Sequence, residues 1–496
     1  MRSRSLAQAL QEGDGIWFET ALERLRSLPL AADERLTHFL SADQAVLIAR
    51  APGRLDVMGG IADYSGSVVL ELPLARSTSA ILQPRSDSRI EVVSFRGARP
   101  HFVSSTLSEL TEGDWAAPER LAERLHAEGQ EWAAYILGIA QFCARMVTEP
   151  RPNRSAGTPS AAGGFNLVLG SDVPEGKGVS SSAALEVSSM AVVSEHFGLG
   201  LEPAAAAAAC QWVENHVVGA PCGIMDQLTS LLGKSDRLLR IRCQPAVVEG
   251  FVEVPPDFRF YGIDSGVRHA VSGNEYGSVR TAAFMGYRMI AESAGLTATR
   301  AGNGVVVDDP RWGGYLANLS PGELDREFGE LLPERMSGEE FLARFGGHTD
   351  AVTRVRADVS YTVKAATVHP VRENARAERF AELLENLASA PEGAEEMGRL
   401  MYESHASYGA CGLGSAGTDR LVEMVRAAAP EVGLFGGRIT GGGNGGTVAI
   451  FGRRDAEGAV REIAARYGEE TGVRAEVFAE SGPGAEELGM VRVPNQ

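Results

Sequence analysis

Between Leu169 and Met190 the chain reads LGSDVPEGKGVSSSAALEVSSM: an apolar run, a loop holding Pro174, Gly176 and Gly178, then a helix entered through Ser180, Ser181 and Ser182. Glycines let backbone amides approach a ligand closely, and a helix start leaves its first N–H groups without intrahelical acceptors. The helix dipole makes those amides favourable for an anion, so the stretch is a candidate phosphate cradle. A plain serine-capped turn is the other reading. The Walker P-loop fails on spacing. Gly176-Lys177 is followed by Gly178 where Ser or Thr is needed, and Gly233-Lys234-Ser235 has Leu228 in place of the first glycine.

Charged side chains concentrate at a second place. Arg54, Asp56 and Asp63 fall in APGRLDVMGGIADYSGS, between apolar strands expected at 46–49 and 68–74. Charges so placed persist only when paired or bound to a ligand, and both a structural salt bridge and a binding site fit. Asp226 follows the glycine-rich turn GAPCGIM and opens a helix, where a carboxylate could simply cap. In GGRITGGGNGGTVAIF (436–451) five glycines fall within six residues, so the backbone there takes φ > 0 or approaches something closely.

The elements that must carry these groups are partly legible. An amphipathic helix is expected at 131–141, an alanine-rich helix bearing Glu214 at 203–217, a strand at 258–263 and another amphipathic helix at 371–384. Residues 150–164 read as a surface loop, 290–350 as turn-rich, and 1–40 as a helical extension. At 496 residues two packed domains are the default. A net charge of −18 argues against a nucleic-acid groove. No apolar run reaches membrane-spanning length and the N-terminus lacks a signal-peptide core, so a cytoplasmic location is expected. Five scattered cysteines without C-x-x-C spacing read as reduced core or near-site thiols.

Pro174-x-x-x-Gly178-x-x-Ser181-Ser182-Ala183 resembles the second motif of the GHMP small-molecule kinases, and two further motifs follow that family in order. Gly53, Arg54, Gly59, Asp63 and Tyr64 match the first motif of galactokinases, from which Asp56, Gly60 and Ile61 depart. Cys222-Gly223-Ile224-Met225-Asp226-Gln227 is similar to the string around their catalytic aspartate. Thr440 to Gly446 is similar to the third motif, with Asn444 at a usually aromatic position. Similarity also extends to MYESHASYGACGLGS (401–415), a loop in that family, and to VRENARAERFAELL at 371–384.

The resemblance implies an α+β, two-domain GHMP kinase fold with the active site in the interdomain cleft. Residues 41–250 would form the N-terminal domain and 251–496 the C-terminal one. It implies ATP and Mg2+: Gly176, Gly178, Ser180, Ser181, Ser182 and Ala183 on the phosphates, Trp132 and Tyr135 near the adenine, Ser182 and Glu214 on the metal. Asp226 would be the catalytic carboxylate and Arg54 its catalytic partner. Asp63, Gly60, Ile61, Tyr276 and Gly223 would line the sugar, with Arg268 in support. Where galactokinases place a glutamate and a histidine on the sugar, this chain has Gly60 and Ile61. A missing carboxylate beside an apolar wall suits L-arabinose, which lacks the hydroxymethyl branch of galactose. The first motif is also similar to the kinase module of plant L-arabinokinases. Restoring glutamate at position 60 is expected to shift preference toward galactose. The expected partners are therefore a small sugar and ATP, with no nucleic acid and no membrane. A galactokinase, or a kinase of another galactose-like sugar, is one alternative, and a catalytically silent sugar sensor is another.

Overall fold

The computed structural model describes residues 3–5, 36, 39–41, 43–96, 99–113, 117–148, 163–268, 274–302, 304–429 and 431–493. The helical extension expected at 1–40 lies for the most part outside the described residues, as does most of the loop expected at 150–164. Ser3–Ser5 (β1) is a strand.

The long antiparallel pair β2 (Val46–Met58) and β3 (Val68–Pro84) is the spine of the first sheet. β2 runs well beyond the strand expected at 46–49, through the glycine-rich stretch that reads as a loop. Two register irregularities, at Pro52/Arg54 and Asp56/Met58, let it do so. Bulges of this kind bend a strand and re-aim its side chains, and here Arg54 and Asp56 stand between them. β4 (Arg89–Arg96), β5 (Arg99–Thr106), β6 (Phe165–Ser171), β7 (Arg237–Arg242) and β8 (Val247–Glu253) extend the sheet. β3 is long enough to pair with β6 through Thr78–Pro84 and with β7 through Val68–Glu71.

A second, four-stranded antiparallel sheet has β9 (Phe258–Asp264), β10 (Leu434–Ile439), β11 (Thr447–Arg453) and β12 (Val477–Phe478) in the order β10-β11-β9-β12. The last strand, β13 (Met490–Val493), returns to the first sheet between β1 and β2. The division expected at residue 250 therefore runs through β8, and the chain's end packs with the first sheet rather than the second.

Helices α1 (Ala134–Thr148), α2 (Ser181–His196), α3 (Pro203–Val213) and α4 (Met225–Leu232) share one core with the first sheet, including Ala49, Val69, Leu82, Leu137, Val192 and Leu228. On the C-terminal side lie α5 (Asn274–Ser293), α6 (Val363–Asn386), α7 (Gly393–Ala410), α8 (Ala416–Ala428) and α9 (Glu457–Thr471). The stretch at 401–415 that resembles a loop is helical as far as Ala410. Within 290–350 the backbone forms a hairpin, Thr297–Ala301 with Gly304–Asp308, and a helix at Gly338–Phe345. The two halves meet in a continuous apolar layer in which Leu55, Val57 and Leu70 pack with Phe260, Phe380 and Phe451. Among the described residues no helix is long and apolar enough to cross a membrane.

One ion pair ties the halves through this layer. Arg438 of β10 and Asp56 of β2 are each 0% exposed, with Nη1 to Oδ1 at 3.0 Å and Nη2 to Oδ2 at 3.3 Å. The Gly441 amide also donates to Asp56 Oδ2, at 3.1 Å. Removing one partner strands the other charge in the interior, so Arg438→Met should cost about 3–5 kcal/mol in urea unfolding. A loss under about 1 kcal/mol would show that the pair is dispensable.

Candidate active site

The phosphate-loop sequence forms the turn it reads as. β6 ends at Ser171, the loop takes positive φ at Gly176 (70°) and Gly178 (68°), and α2 begins at Ser181. Ser180 itself is left-handed (φ 56°), a conformation that costs a non-glycine residue strain. In that pose its hydroxyl donates to Asp226 Oδ2. From the other half of the chain, the glycine loop 440–447 closes against the phosphate loop. Thr447 Oγ1 donates to the Lys177 carbonyl at 2.8 Å, and a Cβ at Gly446 would stand 2.8 Å from that same carbonyl. Lys177 Nζ reaches Asp264 Oδ2 at 2.8 Å. The glycine run is therefore required by close approach.

Arg54 lies at the centre. Its Nε and Nη2 each stand 2.8 Å from Asp226 Oδ1, while Nη1 donates to the Gly178 carbonyl at 2.7 Å. Residues 172 positions apart in sequence are thus joined to the phosphate loop by one buried guanidinium. Beyond Asp226, Glu214 is the first residue of a wide π-turn (Glu214–Val218) that follows α3, rather than part of the continuous helix expected at 203–217. Such turns cluster at functional positions. Glu214 Oε2 accepts from Gln227 Nε2 at 2.7 Å and from the Cys222 thiol at 3.3 Å, and its carboxylate lies beside the Ser182 hydroxyl. Burial first, and Asp226 second, push its pKa up to about 7. Among the described residues no group of three or more His, Cys, Asp or Glu is arranged to hold a metal alone. The Ser182 hydroxyl and Glu214 carboxylate are nonetheless hard oxygens beside one another, and among the described residues that carboxylate has no cation against it. They fit a magnesium ion that takes its remaining ligands from phosphates and water.

Across the cavity from the phosphate loop lies a second polar group. Asp63 is 3% exposed, and its Oδ1 has no hydrogen-bond partner among the described residues. Burial raises its pKa to about 6, against the lowering effect of Arg280. Gly223 has to be glycine, because a Cβ there would lie 1.5 Å from Asp63 Oδ2. Tyr276 stands edge-on to Tyr64, 6.1 Å between ring centres. Arg54, Ile61, Asp63, Gly176, Gly178, Ser180, Ser181, Ser182, Glu214, Gly223, Asp226 and Tyr276 all line one cavity.

Several expected residues do not line this cavity. Trp132 packs edge-on against His101, and Tyr135 is half-buried against the core of the first sheet. Ala183 lies behind the helix start in the core. Arg268 is exposed; Arg280, on α5, takes the supporting position, gripping Asp350 with two 2.8 Å bonds and the Cys222 carbonyl at 3.3 Å. Gly60 needs correction. Its position is not a vacancy left by a lost carboxylate, because a Cβ there would lie 2.0 Å from Asp56 Oδ2 and 2.1 Å from the Tyr408 hydroxyl. Its carbonyl accepts from His369 Nε2 at 3.0 Å, and burial lowers that histidine's pKa to about 4. A glutamate at 60 would therefore fit only if Asp56 and Tyr408 move aside, so the expected switch toward galactose depends on that movement. Ile61 does face the cavity, held at φ 49°.

The chain matches the GHMP kinases N terminal domain over residues 135–234 and the GHMP kinases C terminal domain over 380–470. It is 38% identical to L-arabinokinase of Arabidopsis thaliana across 91% of its own length and 47% of that protein. It is 30% identical to galactokinase of Chloroflexus aurantiacus, covering 86% of this chain and 89% of that one. The chain belongs to the GHMP kinases. It spans about half the length of the plant relative and nearly all of the bacterial one. Lactococcus lactis galactokinase, solved with galactose, has the same fold, with a TM-score of 0.66 at 20% identity over 92% of this chain and 98% of that one.

In this GHMP kinase the residues that sequence reasoning missed are those acting through others: Glu71, Arg280, Tyr408 and Arg438. A glutamate inside the apolar strand VVLELPL was a visible signal; the others gave none. Because the space at 60 is filled from beneath, Gly60→Ala should lower stability by about 1–3 kcal/mol. An unchanged unfolding midpoint would mean that Asp56 and Tyr408 can move aside.

Proposed function

We propose that this GHMP kinase transfers the γ-phosphoryl group of ATP to the anomeric hydroxyl of a sugar with the galactose arrangement at carbons 2 to 4, L-arabinose being preferred. The observation that carries this reading is the meeting of Arg54 and Asp226 beside the start of α2, in one cavity with Asp63 Oδ1, which has no partner among the described residues. Phosphoryl transfer needs charge compensation on the phosphates, an in-line hydroxyl and a group to receive its proton. The amides at 181–183 and the dipole of α2 supply part of the first. Magnesium held by Ser182 and Glu214 would supply the rest when ATP is bound. Asp226 accepts the sugar proton, and Arg54 stabilises charge on the attacking oxygen. Ser180 and Arg54 fix the Asp226 carboxylate, so its orientation is set before substrate arrives. Asp63 receives sugar hydroxyls and Tyr276 closes that side.

The preference rests on Ile61, an apolar surface at a cavity wall, and on the identity to a protein named L-arabinokinase. A galactokinase is the second reading, favoured by the 30% identical relatives of that name. A silent sugar sensor is disfavoured by the presence of Arg54, Ser182, Glu214 and Asp226 around one cavity.

Assaying sugar 1-phosphate from ATP, magnesium and free sugars should give turnover on L-arabinose well above D-galactose. Efficient galactose turnover with none on the pentose would remove the proposed preference. Ile61→Gly, which suits the left-handed backbone, should raise activity on galactose about tenfold or more if the side chain is the barrier. Asp226→Asn keeps the shape but not the base and should lower kcat by about 10²- to 10⁴-fold. A smaller fall would limit Asp226 to orienting the hydroxyl.

A further inference from the structure

Glu71 is a buried carboxyl with no part in the chemistry above. It lies on β3, directly opposite Asp56 of β2 and beside Leu239 of β7, and is 0% exposed. Its Oε2 stands 3.2 Å from Arg54 Nε, the same nitrogen that donates to Asp226 Oδ1 at 2.8 Å. Neither Glu71 oxygen has a hydrogen-bond partner among the described residues. The guanidinium on which the proposed reaction depends is thus held between two carboxyl groups.

Charge decides what the second one is. The groups facing Glu71 are Arg54 and Asp56 from β2, Asp226 from α4 and Arg438 from β10, with the Cys243 thiol beyond the end of β7. Arg54 pairs with Asp226 and Arg438 with Asp56, so two cations already face two anions. Glu71 is the third carboxyl, and a third negative charge there would be buried without a cation of its own. Desolvation and the neighbouring Asp56 push its pKa well up, more than Arg54 brings it down.

We propose that Glu71 is a positioning residue for Arg54 that works as a neutral carboxyl. As a neutral group it supports Nε from behind and leaves the guanidinium's charge to Asp226. Ionised, it would compete with Asp226 for Arg54 and draw the arginine off the site. The proposal deepens the phosphoryl-transfer reading, which gives Arg54 its importance, but its decisive test needs no activity.

A carboxyl whose folded pKa lies above its unfolded value makes folding take up a proton. Stability then falls as pH rises from the ordinary glutamate range toward the folded value. Glu71→Gln keeps the shape and cannot ionise. Its melting temperature should therefore exceed that of the wild type near pH 8 (roughly), with the gap closing toward about pH 5. The infrared carbonyl band of protonated carboxyls, present in the wild type at neutral pH, should be weaker in Glu71→Gln, the remainder coming from other raised carboxyls such as Glu214. In the sugar assay Glu71→Gln should hold kcat within about twofold at neutral pH. Glu71→Leu, which withdraws the polar support, should lower kcat about tenfold with both KM values unmoved. A melting gap that stays flat or widens as pH falls would mean Glu71 is ionised, and would overturn the proposal. So would an infrared band of equal size in wild type and Glu71→Gln, or a Glu71→Gln variant as impaired as Glu71→Leu. If no sugar is phosphorylated at all, the function reading fails while the melting and infrared results still decide the state of Glu71.

Discussion

Everything in the cleft depends on one guanidinium having more partners than it can satisfy equally. Arg54 reaches Asp226 on α4, the Gly178 carbonyl in the phosphate loop and Glu71 on the neighbouring strand. An arginine fork has fixed directions, so its position fixes theirs. Desolvation of the arginine's charge is costly, and the fold can bear it because the guanidinium meets the Asp226 carboxylate and a backbone carbonyl. That constraint explains why β2 bulges where it does. A regular strand would carry Arg54 and Asp56 past their partners, whereas the two irregularities set one guanidinium toward the cavity and one carboxylate toward Arg438.

The same logic links the halves of the chain. Lys177 and Asp264, Thr447 and Lys177, Arg438 and Asp56, Gly441 and Asp56 all cross between the phosphate-loop side and the C-terminal side. Each crossing uses a group at or beneath the cavity, so the cleft is built from the contacts that hold the halves together. Glycine runs are needed there because backbone, not side chain, makes the approach: at Gly441 a Cβ would stand 3.0 Å from the Gly178 carbonyl.

How much of this was legible follows from whether a residue acts through its own identity or through its neighbours. Arg54, Asp226, Ser182, Glu214 and Asp63 were visible because charged or small polar residues in apolar or glycine-rich surroundings are conspicuous. The strand–loop–helix at 165–196 was visible because turn chemistry and helix entry leave local marks. The extension of β2 to Met58 was not, since its glycines and proline oppose a strand locally and only pairing with β3 overrides them. The return of β13 to the first sheet is a long-range event with no local mark. The exposed Arg268 and the buried Arg280 show the same limit. Both are arginines near one motif, and only the approach of Asp350, seventy residues on, decides which one is held at the site.

Position 60 shows why substitution by analogy is unsafe even where a motif is clear. Read as a string, glycine for glutamate is a deletion that leaves space and removes a hydrogen bond. In the fold, the direction in which a side chain would leave Gly60 is occupied by Asp56 and Tyr408, which also serve Arg438 and Gly441. The carbonyl of Gly60 is held by His369, whose other ring nitrogen pairs with Ser407 at 2.8 Å. Gly60 is therefore part of the support beneath the cavity, and Ile61, held left-handed by that support, forms part of the cavity wall. The shape of this wall belongs to the pair acting together. A change at 61 alters the wall, whereas a change at 60 first disturbs the ion pair on which the wall stands.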